Sequence, residues 1–164
     1  MYRAFVRRRL KQTFLGELSR GDYRAVVRRT APGVVHSFPG ESALAGTRRS
    51  REALEAWFER LFRLVPVLRF SVEEIVVTGW PWRTVVAVRW TNRGEAADGG
   101  PYVNSGCEVF EIRWGRATRL VQYLDTQVVH ETLERLAAAG VEEAAAPPLG
   151  SSHEAPVARG AARG

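Results

Sequence analysis

A chain of 164 residues with an ordinary apolar share of 45% can bury one core, which predicts a single domain. It holds no apolar run near the roughly 20 residues of a spanning helix and no apolar segment behind its basic N-terminus, and it has one cysteine; this excludes an internal disulfide and predicts a cytoplasmic protein with no membrane partner. The net charge of +6 gathers in the N-terminal half, but Lys11 is the one lysine among 24 basic residues, a skew that needs no binding function, and with no nucleic-acid-binding signature such a partner is not expected.

Residues 2–20 set Val6, Leu10, Phe14 and Leu18 at helical spacing and predict a helix ended by Gly21. Asp22 caps a short second helix over 23–30, and Pro32-Gly33 breaks it. Residues 34–38 read as a short strand and 41–47 as a loop. Thr47 or Ser50 caps a third helix that runs to about Leu64, with Leu54, Trp57, Phe58, Leu61 and Leu64 on one stripe. Four strands follow: 68–78, 82–92, and a hairpin within 102–127 that comes after a flexible loop over 94–101. Residues 128–139 return to helical spacing. From Ala144 the chain is rich in Ala, Gly, Pro and Ser and reads as a disordered tail over 144–164, leaving one domain over 1–143. Helices grouped ahead of an antiparallel sheet predict an α+β fold. A curved sheet packed on N-terminal helices leaves an apolar cavity at one end.

The last hairpin carries the site residues. A turn centred on Gly115-Arg116 sets Trp114 opposite Ala117, Tyr123 opposite Glu108, Val121 opposite Phe110 and Asp125 opposite Gly106. One face then holds Asn104, Gly106, Glu108, Phe110, Ile112, Val121, Tyr123 and Asp125. Carboxylates on so apolar a face point to a pocket. If Asn92 or Arg93 lies near Tyr102, Arg89 joins Gly106 and Asp125 in a row across three strands. Beside the arginine Asp125 would be an anionic base or anchor; without it, an apolar cavity would make it a protonated acid. His36, among apolar neighbours, either moves a proton near neutral pH or simply bonds to backbone. Trp57 and Phe58 form a cavity wall or ordinary core. Trp80 and Trp82 flank a turn; His130 and His153 look incidental, and Cys107 reads as core. Carboxylates, a tyrosine and a histidine around an apolar cavity suit proton transfer on an apolar small molecule. There is no phosphate loop, dinucleotide fingerprint or nucleophile elbow, and the histidines are scattered, so neither a cofactor nor a metal is expected.

The order of elements, with GDYRAV, GTRRSREALEAWFERLF and CEVFEIRWGRATRLVQYLDT, resembles the SnoaL-like polyketide cyclase branch of the nuclear transport factor 2-like superfamily over about residues 3–140. The resemblance implies a cone-shaped α+β barrel, often a homodimer through the sheet. It implies an acid/base carboxylate at Asp125, a polar pocket residue at Glu108 and a matching arginine at Arg89. The chain departs from the pattern at Pro66-Val67-Leu68, where Pro-Asp-Leu is usual, and at Leu120 and Val121, where Trp or His is usual, so a less polar pocket is expected. The implied function is a cofactor-independent cyclase, isomerase or lyase acting on a polyketide-like or other apolar carbonyl compound. Asp125, Glu108, Arg89 and His36 would do the chemistry, and Tyr123, Asn104, Trp57, Phe58, Phe110 and Val121 would hold the substrate. The alternative on the same fold is a non-catalytic ligand-binding or protein-interaction module.

Overall fold

The computed structural model describes residues 1–150, and no helix among them is long and apolar enough to cross a membrane. The first apolar stripe forms helix α1 (Tyr2–Gln12), which continues as a π-helical turn (Thr13–Glu17) and a short 3-10 turn (Leu18–Arg20). Gly21 ends this run at φ +76°, a left-handed value that favours glycine. The Asp22 carboxylate accepts the Ala25 N–H and starts α2 (Tyr23–Val27); Ser50, rather than Thr47, caps α3 (Arg51–Leu64) through the Ala53 N–H.

Six strands make one curved, unclosed sheet: β1 (Thr30–Phe38), β2 (Gly46–Arg48), β3 (Val67–Trp80), β4 (Arg83–Glu95), β5 (Pro101–Arg113) and β6 (Arg116–Leu124). Their order is β2-β1-β6-β5-β4-β3, and β1 runs parallel to β6 while the other pairs are antiparallel. The α+β class expected from the sequence is the one found. The short β2 was not expected; it lies at the end of the stretch read as loop. The helices fill the concave face, where Phe14 meets Phe70 and Phe110 edge-on at centroid distances of 5.6 and 6.1 Å. Helix α4 (Thr126–Ala138) follows β6 and buries Val129, Leu133 and Leu136.

The hairpin register differs from the expected one, and the reason is local. The two turn residues are Trp114 and Gly115, both with positive φ, so Arg113 pairs with Arg116 and Ile112 with Ala117. That shift of two positions would by itself keep every side chain on its expected face. A bulge at Thr118 then adds one residue to β6, and beyond it Glu111 pairs with Arg119, Phe110 with Leu120 and Glu108 with Gln122. One extra residue moves Val121 and Tyr123 to the outer face and brings Leu120 and Gln122 inside. Between β4 and β5 the register is also one off the expected pairing: Arg89 lies opposite Cys107, and Gly106 lies opposite Trp90.

Residues 144–150, grouped with the tail by composition, pack on the body. Ala144 is buried, and the Pro147 carbonyl accepts a bond from Arg60 Nη1 at 2.8 Å. The rest of the expected tail, 151–164, and His153 within it lie outside the described residues.

Candidate active site

Three inward-facing polar side chains meet where β1, β6 and β5 lie side by side. His36 stands on β1 opposite Leu120, and Glu108 on β5 stands opposite Gln122 on β6. The Gln122 side chain lies beside both the Glu108 carboxyl and the His36 imidazole, near enough to act on the charge of each. Their nearest packing partners are mostly aromatic. The His36 ring sits edge-on to Trp57 at 4.5 Å, and Trp57 packs on Phe58 and Phe38. Glu108 and Gln122 line a cavity of about 40 Å³ with Trp57, Phe58, Phe70, Phe110 and Leu120. Thr13, Phe14 and Leu18 cover it, so its wall on that side is the π-helical and 3-10 stretch after α1.

Burial sets the charge states. Among the described residues no cation pairs with the Glu108 carboxyl, and desolvation pushes its pKa up to about 8, with Gln122 acting less, in the other direction. Burial, and then the charge of Arg48, pushes His36 down to about 3, so its ring is neutral at ordinary pH. Among the described residues, two polar atoms in the trio have no hydrogen-bond partner, Nδ1 of His36 and Oε1 of Gln122. A buried orphan acceptor beside a protonated carboxyl offers a ligand a partner in an otherwise apolar space.

Arg48 supports the trio from behind. It is buried, donates to the carbonyls of Leu44, Ala45 and Gly46, and holds its guanidinium 5.5 Å from the Trp57 ring centroid. Desolvation, and then the neighbouring Arg60, lowers its pKa to about 9, which leaves it charged. Trp57 Nε1 donates to the same Leu44 carbonyl at 2.8 Å, so the loop before β2 fixes the indole against His36.

The expected residues divide. Glu108, His36, Trp57, Phe58 and Phe110 are inside and close together. Tyr123 and Val121 are corrected to the outer face, for the reason given by the bulge. Arg89 is exposed on that outer face, where it pairs with Glu73 at 3.1 Å and Glu74 at 3.8 Å and does not meet Asp125. Asp125 lies beyond the end of β6 and is exposed, its carboxylate capping α4 by accepting the Gln127 and Val128 N–H groups. Gly106 is therefore no gap between arginine and aspartate. It lies between Trp90 and Leu124, and a Cβ there would collide with the Tyr123 carbonyl oxygen. Asn104 is buried but fully engaged: its Nδ2 donates to the Asp125 carbonyl at 3.0 Å, and its Oδ1 accepts the Asp125 and Ser105 N–H groups. It ties β5 to the start of α4. Gln122, Leu120, Phe14 and Phe70 are inner residues that the sequence alone did not place in the site. The rest of the interior had a signal in its aromatic spacing; Gln122 was lost with the register.

A larger cleft of about 1120 Å³ lies between the 40–46 loop, α4 and residues 144–150. Its titratable side chains, Glu41, His130 and Glu134, are all exposed, and small residues and prolines make most of its wall. The unusual electrostatics are in the smaller, inner cavity, and the candidate site is placed there.

Helices held in the concave side of a curved, open six-stranded sheet, with a few polar groups at the base of an apolar interior, define the nuclear transport factor 2-like class of α+β proteins. Within that class the chain belongs to the SnoaL-like domain family, whose model matches residues 12–120. Solved structures agree on the fold. A nuclear transport factor 2-like protein of unknown function from Burkholderia pseudomallei is 20% identical, with a TM-score of 0.62 over 77% of this chain and 91% of that one. A candidate isomerase from Bacillus subtilis is 20% identical, with a TM-score of 0.63 over 75% and 88%. A candidate polyketide cyclase from Xanthomonas campestris pv. campestris is 23% identical, with a TM-score of 0.52 over 71% and 87%. No curated protein matches the sequence.

Proposed function

We propose that the protein is a small-molecule acid/base enzyme of the SnoaL-like kind, cyclising, isomerising or dehydrating an apolar carbonyl compound, with Glu108 as the proton donor and acceptor. The observation that carries the reading is a buried carboxyl group, with no cation paired to it among the described residues, raised to about 8 and set beside Gln122 in the lining of an apolar cavity. Such a group is protonated at neutral pH and can hydrogen-bond or protonate a developing enolate; its conjugate base can remove the proton next to a carbonyl. Gln122 positions the carboxyl, and neutral His36 completes the polar corner. Trp57, Phe58 and Phe110 give the substrate apolar contact. The isomerase and polyketide-cyclase descriptions of two structural neighbours fit this reading. Asp125 and Arg89 take no part in it.

The test begins with a thermal-shift screen of aromatic polyketides and steroid ketones, followed by product analysis of each stabilising compound. Glu108→Gln is expected to retain ligand-induced stabilisation and to lose turnover by roughly a hundredfold or more, the usual contribution of a positioned acid/base group. Turnover unchanged in that variant contradicts the role of Glu108.

One observation favours a second reading, a binding or interaction module without chemistry. A cavity of about 40 Å³ admits little more than a water or two, so a substrate enters only if the Thr13–Arg20 cover moves. If stabilising compounds are all returned unchanged by wild-type protein, the module reading stands. The outer sheet face, with Val76, Val103 and Tyr123 exposed, suits a homodimer; a monomeric mass by light scattering at micromolar concentration would rule that out.

A further inference from the structure

Trp80, Trp82 and Trp114 gather at one end of the molecule, 60%, 54% and 75% exposed. They belong to two different hairpin turns, and the turns are fastened together: the Trp114 N–H donates to the Pro81 carbonyl at 2.8 Å. Trp80 and Trp82 stack with centroids 5.8 Å apart and planes 7° from parallel, and Trp114 lies 6.5 Å from Trp82. Tyr2 Oη bonds Thr84 Oγ1 at 2.7 Å, which holds the N-terminus of α1 and its exposed Met1 beside the same turns.

The charged residues that adjoin these rings in the two turns are all basic. Arg83, Arg113 and Arg116 flank them, and residues 79–84 and 112–118 contain no carboxylate. Helix α1 begins beside the turns with Arg3 and holds no carboxylate of its own; Arg9, farther along it, faces Glu17. Three large exposed rings clustered on two joined turns mark an interaction surface. Indole rings favour the boundary between water and an apolar phase, and arginines complement anionic headgroups. A single-stranded nucleic acid would need a groove and free ring faces. Here two rings already cover each other, and none of the three tryptophans lines either cavity described above.

We infer that this end of the molecule docks on an anionic lipid bilayer, with Trp82 and Trp114 at headgroup depth and Arg83, Arg113 and Arg116 on the phosphates. The sequence-based expectation of no membrane partner rested on the lack of a spanning run, which does not bear on a peripheral contact.

The test is co-sedimentation of the full chain with vesicles, read together with tryptophan emission. Vesicles of equal parts phosphatidylcholine and phosphatidylglycerol are expected to bind the protein and shift its emission to the blue; phosphatidylcholine alone is not. Binding should weaken with salt. Trp82→Ala/Trp114→Ala should lower the partition coefficient at least tenfold with an unchanged circular dichroism spectrum, and Arg113→Gln/Arg116→Gln by roughly fivefold per arginine. Failure to sediment with anionic vesicles overturns the inference, and so does binding undiminished in the tryptophan variant. A single-stranded oligonucleotide retarded by the wild type and released by the same variant would assign the patch to nucleic acid and also overturn it, as would a solution mass that halves in that variant.

Discussion

Glu108 on an open strand would be an ordinary carboxylate. Placed inward at the centre of the sheet, it loses its water, has the Gln122 amide as a nearby donor group and holds its proton to about 8. Gln122→Leu removes that donor while keeping the volume, and the Glu108 pKa should rise further; a fall would show that Gln122 destabilises the anion. Asp125 has the opposite situation. Its carboxylate is exposed and caps a helix, so Asp125→Ala should cost about 1 kcal/mol in urea denaturation, a typical N-cap loss, and leave turnover within a few-fold. A large loss of turnover in that variant at unchanged stability would return Asp125 to the chemistry. The residue types of the site were legible in the sequence, since Glu108, His36 and the α3 aromatics stand out as polar groups among apolar ones or as a helical stripe. Their partners were not, because partnership depends on register.

Register is decided at the scale of the element. A hairpin turn with two positive-φ residues at Trp114-Gly115 is hard to read where Asn-Gly is the usual signal, and the extra residue at Thr118 has no composition signature. Thr118 Oγ1 donates to the Glu111 carbonyl at 3.2 Å, which helps hold the bulge once formed, but many threonines in strands do no such thing. The irregular turns after α1 are hidden in the same way, because Val6, Leu10, Phe14 and Leu18 fit one continuous helix. Helix α3 was legible to its last residue, since its stripe, its Ser50 cap and the following Pro66 agree. Gly106 gives the element its sharpest test. Its Cβ would strike strand backbone, which cannot rotate away, so Gly106→Ala should destabilise the protein by about 1–3 kcal/mol. A neutral effect by thermal or chemical denaturation would mean that β5 and β6 sit farther apart.

For the whole molecule, the two buried groups shape stability in opposite directions. Glu108 is raised on folding, so its contribution is complete below the unfolded value of 4.5 and is lost as pH climbs to about 8. His36 is depressed, so stability falls as pH drops from 6.5 towards about 3. Between 4.5 and 6.5 the slopes cancel, and a plateau is expected there. Above it stability should decline by up to about 1.4 kcal/mol per pH unit as far as pH 8. In Glu108→Gln the alkaline decline should vanish, and denaturant curves across the pH range would show it. The α+β class was legible from element order alone. The parallel pairing of β1 with β6, which brings His36 to Gln122, was not, because it joins residues far apart in the chain.

The central claim is that Glu108 is a buried acid which keeps its proton at neutral pH. The most direct test is the titration of its side-chain carbonyl carbon by NMR in glutamate-labelled protein, assigned by the signal missing from Glu108→Gln. A midpoint near 8 is expected. A midpoint near the ordinary 4.5 would contradict it.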